Sequence, residues 1–199
     1  MKATALLNAA LDELLERIRP VLALVSNGRR GAGAGVLAGD GLVLTNLHVV
    51  GRAHTVQVLL EDGSRYDAPV IARDPHVDLA LLQIPANGHP AAVFSSSRPR
   101  PGELVYAFGH PWGQRNVLTG GVLSAVTSLR GWHGEVPVLR ADVQLAPGNS
   151  GGPLLNASGE VIGLNAMIFG GDQSVAIPAS LIQSFLAGAR KNQRMQAAL

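Results

Sequence analysis

The 199-residue sequence predicts an all-β protein of two small six-stranded antiparallel barrels, with a helix at each end. Three observations lead there. Short apolar runs bounded by turn residues recur along the chain and never alternate with long helical patterns, which disfavours a parallel α/β sheet. A stretch rich in Ser, Pro and Arg, Ser95–Pro101, divides these runs into two sets of about six. Helical spacing is confined to the two ends. The expected divisions are a helix over 1–20, a first barrel over 21–97, a second over 98–178 and a closing helix over 179–199.

Residues 3–18 place Leu7, Leu11, Leu14, Leu15 and Ile18 at helical spacing, and Pro20 ends that helix. The runs VLALVS, GAGVLA, LVLT, HTVQVLL, DAPVIA and DLALLQI then read as strands, with GDG, EDGS and RDPHV as turns between them. After the divide come ELVYAF, NVLTGGVLSAV, PVLRADV, GPLLN, VIGLNAMI and SVAIP. ASLIQSFLAGARKNQ closes the chain as a helix, capped by Ser180 or initiated after Pro178.

Composition narrows the function. Hydrophobic residues make up 47% and charged residues 15%, enough for a packed core and too apolar for disorder. A net charge of +2 gives no ground for nucleic-acid binding, and the arginines of SSSRPRPGE and ARKNQR read as solvated surface. There is no cysteine, hence no disulfide and no thiolate chemistry. Asp12, Glu13, Glu16 and Arg17 interrupt what would be the core of a signal peptide, and no apolar run reaches the length of a membrane span. The expectation is a soluble, cytoplasmic chain as written, or an extracytoplasmic one if trimmed from a longer precursor.

The chemistry gathers around APGNSGGPLLN, where Gly148, Gly151 and Gly152 surround Ser150 between Pro147 and Pro153. A serine hydroxyl is a poor nucleophile until a base takes its proton and donors stabilise the resulting oxyanion. Glycines permit backbone conformations a Cβ forbids and let a carbonyl approach backbone N–H groups. The amides of Gly148 and Ser150 could converge as an oxyanion hole around Asn149; one such donor is worth about 3–4 kcal/mol of barrier. A plain glycine-rich turn is the competing reading, so partners decide.

Of six histidines, His48 follows a strand in the apolar context LTNLHVV, where a core histidine is the bland alternative. His54, His76, His89, His110 and His133 lie in turn-like or polar surroundings with no apolar shelf. Asp78 opens the apolar run DLALLQI, and a carboxylate entering a half-buried strand needs a partner. Asp74, before a proline, reads instead as a turn cap. In this arrangement His48 takes the proton of Ser150, and Asp78 fixes the imidazole tautomer. Gly148-x-Ser150-x-Gly152 also fits the nucleophile elbow of α/β-hydrolases, but there a histidine follows the serine, and the last one here is His133. The order His48, Asp78, Ser150 is that of chymotrypsin-type double barrels.

Together, GAGVLAGDGLVLTNLHVV, DPHVDLALLQI, PGNSGGPL and GEVIGLNAMI…SVAIP resemble the protease domain of the HtrA/DegP family of trypsin-like serine proteases, over roughly residues 20–180. The resemblance implies His48, Asp78 and Ser150 as the triad, Gly148, Asn149 and Ser150 as the oxyanion loop, and ATP-independent endopeptidase activity on unfolded or damaged protein. It also implies PDZ domains after the protease, where these residues end in one helix. Many members trimerise through aromatic residues near the N-terminus of the protease domain; residues 1–20 contain none, so only a homo-oligomer of unspecified kind is expected. Ala146 stands where the family commonly has Asn.

Two expectations follow from particular residues. Asn149 carries no charge to pair with a newly cut N-terminus, so activation by N-terminal cleavage is not expected. In the double-barrel fold the first substrate pocket is lined by the segment before the serine and a later strand, here Gln144 and Leu145, then Leu164, Asn165, Ala166 and Met167. With no acid among them, a Lys or Arg side chain would be buried unpaired. Cleavage after Val, Ala, Ile or Leu is expected, with no metal or cofactor. The alternative from another class is a catalytically silent peptide- or protein-binding module on the same fold.

Three features have bland readings. GAGVLA matches a dinucleotide fingerprint, but a strand follows it where that motif needs a helix, so it reads as a glycine-rich hairpin. Asp142 reads equally as a surface residue or as a tuner of the oxyanion loop. Trp132 and His133 fall in a loop that could cover the barrel or sense substrate.

Overall fold

The computed structural model describes residues 2–28, 32–86, 88–131, 134–169 and 173–197. Trp132 and His133 lie outside the described residues, as does the side chain of Met167. Among the described residues, twelve strands form two closed antiparallel barrels. The first contains β1 (Leu22–Ser26), β2 (Ala32–Leu37), β3 (Leu42–Asn46), β4 (Thr55–Leu59), β5 (Arg65–Asp74) and β6 (Leu79–Gln83). The second contains β7 (Leu104–Gly109), β8 (Val117–Gly131), β9 (Gly134–Asp142), β10 (Pro153–Asn156), β11 (Val161–Phe169) and β12 (Gln173–Pro178). Around the first barrel the order is β1-β2-β3-β6-β5-β4, and around the second β7-β8-β9-β12-β11-β10. The two share one connectivity, and closure leaves neither sheet a free edge.

Burial explains why some strands alternate and others do not. In β4, Thr55 and Gln57 face out while Val56 and Val58 are buried, the period of two expected of a strand with one wet face. Every residue of β3 is buried, as are Leu79 to Leu82 of β6. Leu44, Leu79 and Leu81 pack with Leu164 and Ile177 of the second barrel and Ile182 of the closing helix, so these strands have a core on each face. Continuous apolar runs mark the seam between the barrels, where the site lies.

The first helix, α1 (Lys2–Ile18), docks only through its second half. Leu14 and Ile18 are buried against Val21, Leu22 and Val161, but Leu7, expected on the apolar face, is 52% exposed. The barrel surface ends before the helix does. A short helix, α2 (Leu47–Val50), follows β3 directly and carries His48. The last helix, α3 (Ala179–Ala197), buries Ile182, Leu186 and Ala189, and Arg190 Nη2 donates to the Ala38 carbonyl at 2.9 Å. It thereby fastens the second barrel to the β2–β3 turn of the first. Between β6 and β7, residues 84–103 hold only an isolated bridge from Phe94 to Val161 among the described residues. No helix among the described residues is long and apolar enough to cross a membrane.

Candidate active site

His48 and Asp78 meet because β3 and β6 are neighbours, with Asn46 paired to Leu79. Asp78 precedes β6 with φ +56°, a left-handed conformation that Asp tolerates better than most residues. Its carboxylate makes two bonds to one residue: His48 Nδ1 lies 2.6 Å from Oδ2, and the His48 backbone N–H donates to Oδ1 at 2.9 Å. The Asp78 carbonyl accepts from Leu47 N at 3.0 Å and from Asn46 Nδ2 at 3.1 Å. The dyad is thus locked in orientation while Nε2 of His48 stays open; that side chain is 47% exposed, which excludes a core histidine. Asp74 caps its turn as expected, Oδ1 accepting from His76 N at 2.9 Å.

Ser150 arrives from the second barrel on a loop sewn to both. Its carbonyl accepts from Ala34 N of β2 at 2.7 Å, Gly151 N donates to the Asn165 carbonyl at 2.9 Å, and Asn165 N donates to the Gly152 carbonyl at 2.8 Å. Gly151 has φ +84°, and a Cβ there would overlap the Ala34 carbonyl and Thr45 Oγ1. The glycine-rich setting of Ser150 therefore serves close inter-barrel contact as well as backbone freedom. Residues 33–37 of GAGVLA lie in β2, paired with β3 across a turn, as the hairpin reading has it.

The amides sort themselves. Asn149 N–H is spent on the Ala146 carbonyl at 2.9 Å, and its side chain is buried with Oδ1 unpartnered. Among the described residues, neither Gly148 N–H nor Ser150 N–H has a hydrogen-bond partner. The Pro147 carbonyl accepts from Trp112 N at 2.8 Å, which turns the Gly148 N–H, trans across the same peptide plane, the opposite way. The hydroxyl of Ser150 donates to the Ala166 carbonyl at 3.0 Å, and no hydrogen bond joins it to His48.

The expected pocket segments divide by role. Leu164 is fully buried in the inter-barrel core, and Asn165 spends its side chain on the Pro153 carbonyl at 2.9 Å, so neither side chain is free to line an open pocket. Leu145 is buried in the second barrel's core, whereas Gln144 is exposed and its carbonyl accepts from Thr119 Oγ1 at 2.8 Å. Ala166 contributes a small side chain and the carbonyl that holds Ser150. Met167 contributes backbone paired with Val175. Asp142 is exposed at the end of β9.

His110 corrects the sequence reading. Expected in a turn without an apolar shelf, it is 1% exposed and packs against Gly148 of the Ser150 loop. Its burial comes from chain segments remote in sequence, Gly148 among them, which no local pattern around HPWGQRN announces. The carbonyl of Ala166 was equally invisible, since a backbone acceptor leaves no residue signature.

A family model described as a trypsin-like peptidase domain matches residues 33–164, a span that holds His48, Asp78, His110 and Ser150 and ends just before Asn165, Ala166 and Met167. The chain belongs to the trypsin-like peptidase family. Among curated relatives, this peptidase is 40% identical over 166 residues to serine protease HTRA1 of Xenopus tropicalis, covering 79% of the chain and 36% of the relative. It is 41% identical over 163 residues to a putative serine protease HhoB of Synechocystis, covering 78% and 39%. The chain therefore spans little more than a third of the length of these relatives. The solved serine endoprotease of Yersinia pestis superposes on the trypsin-like peptidase with a TM-score of 0.82 at 30% identity, over 92% of this chain and 67% of that one.

Proposed function

We propose that this trypsin-like peptidase is a serine endopeptidase acting on unfolded or damaged protein, with His48 as base, Asp78 as its orienting acid and Ser150 as nucleophile. The observation that carries the reading is the doubly bonded Asp78–His48 pair, whose neighbour Val49 meets the Ser150 carbonyl across Gly33, beside a serine loop with two unspent amides. Asp78 holds the proton on Nδ1, leaving Nε2 as the acceptor. Ser150 rotates off the Ala166 carbonyl and gives its proton to His48 as Oγ attacks the scissile carbonyl. The oxyanion takes hydrogen bonds from Gly148 N–H and Ser150 N–H. Collapse expels the amine with the proton from His48, leaving an acyl ester on Ser150; a water deprotonated by His48 then hydrolyses the ester.

For the first pocket we propose small and medium aliphatic residues, Val, Ala, Ile or Leu, because neither segment expected to border it, 144–145 or 164–167, carries an acidic residue that could neutralise a buried Lys or Arg, even though Leu145, Leu164 and Asn165 turn their side chains into the cores. The resting bond from Ser150 to Ala166 is what a silent binding module would also display. Giving up that bond costs only about 1 kcal/mol net, which favours the enzyme. Incubation with a chemically unfolded protein, with cleavage sites mapped by mass spectrometry, tests the reading. Cuts after aliphatic residues that vanish in Ser150→Ala support it. An intact substrate, or cuts mainly after Arg or Lys, overturns the activity or the pocket assignment respectively.

A further inference from the structure

The turn between β7 and β8 carries backbone strain that neither barrel needs for closure. Trp112 has φ +55°, Gly113 +79° and Asn116 +61°, so two non-glycine residues within five positions sit in the left-handed region. Such conformations persist only where surroundings over-determine them, and they cluster at functional sites. Here the surroundings come from both sides of the cleft.

On one side the turn grips the oxyanion loop. His110 N–H donates to the Gly148 carbonyl at 3.2 Å and Trp112 N–H to the Pro147 carbonyl at 2.8 Å. A Cβ on Gly148 would overlap the His110 carbonyl, and one on Gly109 would lie 2.6 Å from Asn149 Oδ1. On the other side the turn is tied to the first barrel. Arg115 Nη2 donates to the Leu60 carbonyl at 3.1 Å and to Glu61 Oε2 at 3.0 Å, and Asn116 Nδ2 donates to both Glu61 carboxylate oxygens at 3.0 and 2.9 Å. The imidazole of His110 joins the halves, its Nδ1 accepting from Asn116 N at 3.2 Å.

We infer that Glu61, Asn116 and His110 form a cross-barrel brace that sets the Pro147–Gly148 peptide plane, making His110 and Glu61 positioning residues for the oxyanion hole. The inference rests on the proposed function for its kinetic readout but not for its structural one. The His110 ring must accept at Nδ1, so it acts as a neutral imidazole with its proton on Nε2. Burial and the neighbouring Arg115 hold it so, lowering its pKa to about 4. Asn at this position would set its side-chain oxygen close to where Nδ1 stands, whereas Phe would fill the space with no acceptor.

The test compares the parent with His110→Phe, His110→Asn and Glu61→Ala, all otherwise full-length. Two readouts are taken at neutral pH: hydrogen exchange of the segment 145–152, and the limiting rate of Ser150 labelling by a fluorophosphonate. His110→Phe and Glu61→Ala should speed exchange of that segment, leave β3 and β6 protected, and slow limiting labelling by about 100-fold, the cost of an ångström-scale misplacement. The half-saturating probe concentration should stay unchanged, and His110→Asn should restore both readouts. Glu61 lies on a half-exposed turn, so its variant keeps the test alive if His110→Phe fails to fold. Exchange and labelling in Glu61→Ala equal to the parent's would overturn the brace. A parent that never labels, yet whose loop loosens in Glu61→Ala, would retain the brace and overturn the endopeptidase reading instead.

Discussion

Acid should destabilise this protein through His110 before it reaches the carboxylates. The ring is buried, with Nδ1 committed to Asn116 N and Nε2 without a hydrogen bond of normal geometry. Desolvation and the Arg115 guanidinium lower its pKa from 6.5 to about 4, while the Ala23 carbonyl and the Glu61 carboxylate oppose them. An unfolded chain binds the proton near 6.5 and the folded chain resists it until about 4, so stability falls as pH drops through that window and levels off below it. A gap of about 2.5 units, at 1.36 kcal/mol each, makes the full loss about 3 kcal/mol, of which about 2 falls between pH 7 and about 4.5. Against a typical stability of about 5–15 kcal/mol that is a large fraction. The assay is urea unfolding at several pH values for the parent and for His110→Phe. The variant starts lower at neutral pH, having lost the Asn116 bond, so the comparison is one of slopes. The parent should lose about 2 kcal/mol more than the variant across the window. Parallel curves would refute the reasoning, because the two proteins differ only at residue 110.

Other predictions are more local. Gly151→Ala combines φ +84° with overlap of the Ala34 carbonyl and Thr45 Oγ1, so it should cost several kcal/mol, about 3 or more, read as a lowered thermal midpoint. Asp78→Asn keeps an amide where the left-handed backbone tolerates one but no longer fixes the imidazole tautomer, and should lower kcat about 10⁴-fold with little change in KM. Removing residues 1–20 should not create a need for proteolytic activation, because Asn149 has no charge to pair with a new N-terminus; activity that emerged only after nicking would contradict this.

The fold was legible because its signals are local. Period-two alternation in TVQVL, continuous apolar runs in LVLT and DLALL, and turn residues between them mark β4, β3 and β6 without tertiary information. The order His48, Asp78, Ser150 agreed with two barrels because no histidine follows the serine, which excludes the α/β-hydrolase arrangement. What stayed hidden depends on remote segments or on backbone atoms. The burial of His110 is created by Gly148, far along the chain, and the acceptor for Ser150 is the carbonyl of an otherwise plain Ala166. Leu164 was assigned to the pocket because a strand's two faces cannot be told apart when both are buried. Leu7 shares the helical spacing of Leu14 and Ile18 yet is exposed, because helical spacing cannot show where the surface beneath a helix ends.

The central claim is a working serine nucleophile, and covalent labelling reads it most directly. The parent chain is treated with a fluorophosphonate and weighed intact, beside Ser150→Ala and His48→Ala. One adduct on the parent, none on Ser150→Ala and labelling slower by several orders of magnitude, about 10⁴-fold or more, in His48→Ala is the predicted result. A parent that stays unmodified, or that labels equally well without Ser150 or His48, would contradict it.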